Sequence, residues 1–155
     1  MARGIVWKVK VGVTPGKAFD YVADIARHPE WAMDSMTVAP DTVGGAGVGA
    51  RFKAVGNLFG RPNPSTVTVT DLSRPDRLGF DAQDKRGVTH HEFRFLSEAG
   101  GTLVEREMTG VRQPWYGPLQ LLLFKSAIDK NFNGALAKLK ERLEQEAGPA
   151  SAHEG

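Results

Sequence analysis

The 155-residue chain contains no cysteine, which excludes a disulfide scaffold, a thiolate metal site and a cysteine nucleophile at one stroke. The absence fits a reducing compartment. Charge of one sign is also scarce. Lys plus Arg number 20 against 18 Asp plus Glu, a net charge of +2, too little to argue for a nucleic-acid or membrane partner despite a pI near 9.0. Long apolar runs are missing as well. The strongest, Leu119 to Phe124, stops at Lys125, far short of the ~20 residues that span a bilayer. The N-terminal apolar stretch is broken at Lys8 and Lys10, so it does not read as a signal peptide. Against these absences stands an ordinary 41% of apolar residues, enough to build a core in a domain of this size. The expectation is a soluble, cytoplasmic protein with one domain over residues 1–147 and a disordered tail over 148–155.

The pattern along the chain alternates between two periods. Ile5, Trp7, Val9 and Val11 share one side of a strand opposite Lys8 and Lys10. Thr14-Pro15 reads as a helix cap with proline at the first turn. Ala18, Phe19, Tyr21, Val22 and Ile25 follow at helical spacing, and Asp24 caps a second short helix expected to end before Pro29. Met36–Pro40 is a short strand, and 41–49 a glycine-rich connection. Strands follow over 50–54, 65–72 and around Leu78, Phe80 and Ala82, with turn signals over 56–64 and at Pro75-Asp76. Residues 87–97 and 102–109 form two more, joined at Ala99-Gly100-Gly101. Thr89, His91, Phe93 and Phe95 share one face of the first; Val104, Arg106 and Met108 share one face of the second. After Pro118, Leu122, Ile128, Phe132, Ala135, Leu136, Leu139 and Leu143 trace a helical stripe that Gly148-Pro149 should end. Short turns between strands imply an antiparallel sheet, and its apolar face needs a cover that only the long helix can supply. A curved sheet around one helix leaves room for a ligand cavity.

This order of elements, with several local motifs, resembles the START/polyketide-cyclase superfamily and its helix-grip fold. The matching segments are Val13 to Asp24, His28-Pro29-Glu30-Trp31, Val48 to Phe52 and Gly100 to Val104, within a resemblance that spans roughly residues 5–145. It implies an α+β fold, with a curved antiparallel sheet of about seven strands wrapped around the C-terminal helix and two short helices after the first strand. It also implies an internal hydrophobic cavity. Members of the superfamily include polyketide cyclases and dehydratases, lipid or quinone carriers and hormone binders, so fold alone does not choose a function.

Several motifs carry possible chemistry. Gly45-x-Gly47-x-x-Ala50 matches a loose dinucleotide-binding pattern, but that chemistry needs a helix directly after the glycines, and Arg51 to Ala54 reads as a strand. His90-His91-Glu92 suggests a metal site, yet adjacent strand residues point to opposite faces, so no metal and no cofactor are expected. His91 either serves a ligand or bonds a backbone carbonyl or water. Arg106 on the inward face needs a partner: an acidic ligand oxygen, several carbonyls, or an internal carboxylate such as Asp20, Asp24 or Asp129, unless a local bulge turns it outward. The cavity lining is expected from Trp31, Phe52, Phe80, His91, Phe93, Arg106, Met108 and Trp115, with His91 and Arg106 as the catalytic candidates. Leu58 and Phe59 form an exposed tip suited to the cavity mouth, a dimer contact or a membrane touch. The leading expectation is a monomeric or homodimeric binder of a hydrophobic or aromatic small molecule (lipid, quinone or polyketide-like), without nucleic acid or stable membrane insertion. A cyclase, aromatase or dehydratase, with His91 moving protons and Arg106 holding an enolate, is the alternative; an interaction module with a collapsed cavity is a third.

Overall fold

A computed structural model describes residues 4–32, 36–41, 47–58 and 60–154, with Leu58 and 147–154 described in backbone only. Seven strands form one sheet: β1 (Ile5–Val11), β2 (Thr37–Pro40), β3 (Arg51–Leu58), β4 (Arg61–Ser73), β5 (Arg77–Asp84), β6 (Gly87–Glu98) and β7 (Gly101–Arg112). Their spatial order is β1-β7-β6-β5-β4-β3-β2, antiparallel throughout. Helix α1 (Pro15–Ala23) and a 3₁₀ helix (Ile25–Glu30) follow β1, and helix α2 (Gly117–Glu154) closes the chain. This is the helix-grip fold.

Alternation decides which face is which. Register aligns Trp7, Arg106, Phe93 and Leu78 in one inward row, and Ile5, Met108, His91, Phe80 and Val69 in the next. The outer face carries the intervening residues, where Arg94 binds Glu92 (2.7 Å), Glu107 (3.0 Å) and Glu105 (3.2 Å). A register shift between Val69 and Asp71 bends β4 and helps to curl the sheet. At Gly87 and Gly101 a side chain would run into the carbonyls of Arg112 and Val11, so glycine is required where the strands approach.

Thr14 caps α1 by accepting from the Lys17 N–H (3.4 Å), and the helix buries Ala18, Phe19, Tyr21 and Val22. Phe19 meets Phe95 edge-on at 5.6 Å. The C-terminal part of α2 is tied down on several sides. Ala135, Leu136, Leu139 and Leu143 are buried, Trp7 stacks on Phe132 at 4.3 Å, and Trp7 Nε1 donates to Asp129 (2.9 Å). Glu144 accepts from the Gly12 N–H at 2.8 Å. Glu30 gathers Tyr21, Arg27 and Arg142 at 2.9–3.1 Å, fastening the 3₁₀ helix to α2.

Four sequence expectations change. The 3₁₀ helix runs through Pro29 to Glu30, because Trp31 N–H closes its last turn on the His28 carbonyl (3.1 Å). Strand β4 begins at Arg61, inside the expected turn; its 61–65 stretch lies past the part β5 pairs, an edge on which proline's missing N–H is tolerated. Helix α2 passes Gly148-Pro149 to Glu154; glycine before proline lacks the Cβ that normally clashes there. Leu122, expected on the buried stripe, is 73% exposed. Helical period identifies a stripe but not what lies opposite it.

Candidate functional site

A cavity of about 540 Å³ lies between one end of the sheet and the first turns of α2. The sheet contributes Ala82, Thr89, His91 and Met108 to its wall, and α2 contributes Leu121, Phe124, Ile128 and Phe132. Asn63, Asp84, Arg86, Arg112 and Gln113 form a polar rim.

Thr89 and His91 stand at the inner wall with Arg106 behind them, and the three side chains form a directed series. Arg106 Nη2 donates to His91 Nδ1 at 3.2 Å, and His91 Nε2 lies 3.1 Å from Thr89 Oγ1. A guanidinium has only donors, so Nδ1 must accept; the imidazole is neutral and carries its proton on Nε2, which donates to Thr89. The Thr89 hydroxyl proton is then left for a group in the cavity. Burial holds the His91 pKa well below the usual histidine range, and the Arg106 charge pushes it the same way. Phe80 stacks on the ring at 5.1 Å, fixing its plane.

Arg106 itself is unusual. Its guanidinium lies 4.4 Å from the Phe132 ring centre, 5.1 Å from Phe93 and 6.0 Å from Trp31. Its Nε is buried without a hydrogen-bond partner. Among the described residues no carboxylate reaches it. Asp20 binds Arg74 (2.8 Å), and Asp129 serves Trp7 and Lys125, so neither forms the expected ion pair with Arg106, and no bond joins Arg106 to Asp24. Burial lowers its pKa to about 9, which still leaves a cation at neutral pH. Aromatic faces stabilise that cation only in part.

The opposite pole is an acceptor. Asn63 Nδ2 donates to Asp84 Oδ2 (3.0 Å), and Asp84 Oδ1 accepts from the backbone N–H groups of Arg86 (2.8 Å) and Gly87 (3.2 Å). Because a carboxylate only accepts, this bond fixes the amide orientation and leaves Asn63 Oδ1 buried without a partner.

The expected lining residues divide. His91 and Met108 face the cavity, whereas Arg106 does not line it and reaches it only through His91. Phe80, Phe93 and Trp31 are buried beside or behind His91 and Arg106, and Phe52 packs half-buried against the core farther along the sheet. Trp115 is 88% exposed and does not line the cavity, since it precedes α2 and turns outward. Phe59 lies outside the described residues, as does the side chain of Leu58. His90 points to the outer face and bonds Asp81 (2.7 Å), so the two histidines part as the strand period requires. Strand β3, not a helix, follows Gly47 and Gly49; 42–46 lie outside the described residues. Sequence reasoning passed over Thr89 and Asn63. The first shares the His91 face two residues away, a usable signal; the second sat within a turn signal and offered none.

A curved sheet gripping one helix around an apolar-walled pocket with a polar rim defines a helix-grip protein with an internal cavity. The chain belongs to the polyketide cyclase/dehydrase and lipid-transport family, whose pattern matches residues 5–144. No curated protein matches the sequence. Protein TTHA0849 of Thermus thermophilus is similar in structure, with a TM-score of 0.75 and 17% identity over 94% of this chain and 99% of that one. The di-domain ARO/CYC StfQ of the steffimycin biosynthetic pathway is similar to it at a TM-score of 0.73 and 14% identity, over 94% of this chain and 51% of that one. An Arthrobacter aurescens protein solved by NMR gives 0.71 and 14%, over 92% and 86%. At these identities the likeness is one of fold. Among the described residues no helix is long and apolar enough to cross a membrane.

Proposed function

We propose that the cavity binds a hydrophobic or aromatic small molecule bearing an acceptor oxygen, which the Arg106–His91–Thr89 series orients. The observation that carries this reading is the buried cation of Arg106, which has no carboxylate partner among the described residues. Burying such a charge costs several kcal/mol unless something compensates it, and a carbonyl, phenolate or carboxylate oxygen near Thr89 would do so through the series. Apolar walls supply the affinity, at roughly 25 cal/mol per Å² buried. The unpartnered Asn63 Oδ1 selects a hydroxyl or amine elsewhere on the same ligand. Native mass spectrometry of freshly purified protein, compared with its denatured mass, tests this. A mass excess lost on denaturation, from a compound of that description, supports the reading; a compound without any acceptor oxygen contradicts it.

A second reading, an enzyme of the cyclase or aromatase kind, draws on the donor series and on the fold shared with the ARO/CYC StfQ. Here the proton-moving role of His91 is revised. With Nδ1 occupied by Arg106 and Nε2 already protonated, His91 has no free lone pair for a base. The series suits polarising a carbonyl and holding the enolate oxygen that forms when water in the cavity takes a proton from the adjacent carbon. Turnover of a polyketide-like β-ketone that Thr89→Val abolishes while binding persists would favour this reading over simple carriage.

A further inference from the structure

Helix α2 is apolar on two sides over its first turns. Leu121, Phe124 and Ile128 face the cavity, yet Leu119, Leu122 and Leu123 point outward at 55%, 73% and 66% exposure, continuing from Trp115 and Tyr116. A helix apolar all round is ordinarily covered on all sides. Here nothing within the chain, among the described residues, covers the outer stripe. Its charge surroundings are one-sided. Residues 108–128 contain Arg112 and Lys125 and no carboxylate. Lys85 and Arg86 stand beside them, because Val88 pairs with Arg112. Asp129 cancels Lys125 in an ion pair (2.7 Å), and Asp84 is held by Asn63 and its own turn, so Arg112, Lys85 and Arg86 outweigh the single charge of Asp84.

We infer that the outer face of Trp115–Leu123 docks peripherally on an anionic lipid surface. Leucines on an exposed helix face, an aromatic pair at its start and a rim of Lys and Arg are the components of interfacial binding. A twofold-related second copy fits less well, since it would bring the same positive rim against itself. The docking does not depend on what fills the cavity, so each reading can fail without the other.

The protein carries its own reporter. Trp7 and Trp31 are 5% and 1% exposed, against 88% for Trp115, so a vesicle-induced blue shift of tryptophan emission belongs to Trp115. The full chain should co-sediment with vesicles of equimolar phosphatidylcholine and phosphatidylglycerol, show that shift, and be released by salt. Leu122→Asp with Leu123→Asp should lower the bound fraction roughly tenfold without changing the melting curve. No shift and no co-sedimentation would overturn the inference. Equal binding to phosphatidylcholine alone would overturn its anionic selectivity. A vesicle-free dimer that buries Trp115 would assign the face to a second copy and overturn it too.

Discussion

The two ends of α2 have similar apolar content and opposite fates. Ala135, Leu136, Leu139 and Leu143 are buried under β1, α1 and the 3₁₀ helix, whereas Leu119, Leu122 and Leu123 meet solvent. The closed end is also where Glu30 draws Tyr21, Arg27 and Arg142 together, and where His28 is buried with Nε2 donating to the Val22 carbonyl (2.7 Å). The open end holds the cavity, with two polar poles and an uncovered stripe. Stability is concentrated at one end and binding capacity at the other. Of the unpartnered buried polar atoms among the described residues, Asn63 Oδ1 lines the cavity where a ligand can complete it, while Trp31 Nε1 and Arg142 Nε lie away from it.

This division can be broken or sharpened by experiment. The largest effect belongs to the closed end. Leu139→Ala, at a fully buried position, should cost about 2–5 kcal/mol by urea unfolding and leave ligand affinity within about twofold once folded.

Acidification should strike the same end. Burial, first, and then the Arg106 charge hold His28 down to about 4, despite the Val22 carbonyl bond. The unfolded chain therefore takes up a proton near pH 6.5 that folded His28 refuses. Stability is full above that pH and falls as pH drops from about 6.5 toward 4, by roughly 3 kcal/mol for this residue. His91 adds loss in the same direction. A urea midpoint unchanged between about pH 7.5 and pH 5 would contradict the assignment of both rings as buried and neutral.

Smaller effects mark the open end. Thr89→Val keeps the shape but removes the acceptor of His91 Nε2–H and the donor to the ligand; ligand affinity should fall about tenfold, with a stability loss near 1 kcal/mol. Isothermal titration alongside urea unfolding separates the two. Smallest of all, Leu122→Ala should shift stability by no more than about 0.5 kcal/mol. A loss like that of Leu139→Ala would show the open stripe to be covered after all.

Much of this was legible beforehand where one period governs. Strand alternation placed His91, Phe93, Arg106 and Met108 inward and parted His90 from His91, because a period of two leaves no freedom. The cap Thr14-Pro15 and the hairpin glycines were equally local. What required the structure was the relation between distant elements. Period could not tell that the Leu122 stripe lacks a partner, that Trp115 turns out of the cavity, or that Asp20 and Asp129 are taken by other cations. Nor could it show that Nδ1 of His91 accepts from Arg106, the bond that makes this ring a donor to Thr89.

The central claim is that Arg106 is held in the interior for a ligand and contributes little to stability. Urea unfolding of ligand-stripped wild type and Arg106→Met tests it most directly. Replacing a buried cation that lacks a carboxylate by an apolar side chain of similar reach should leave stability unchanged or raise it by about 1–3 kcal/mol. A loss of about 3 kcal/mol or more would make Arg106 a structural residue and contradict the account.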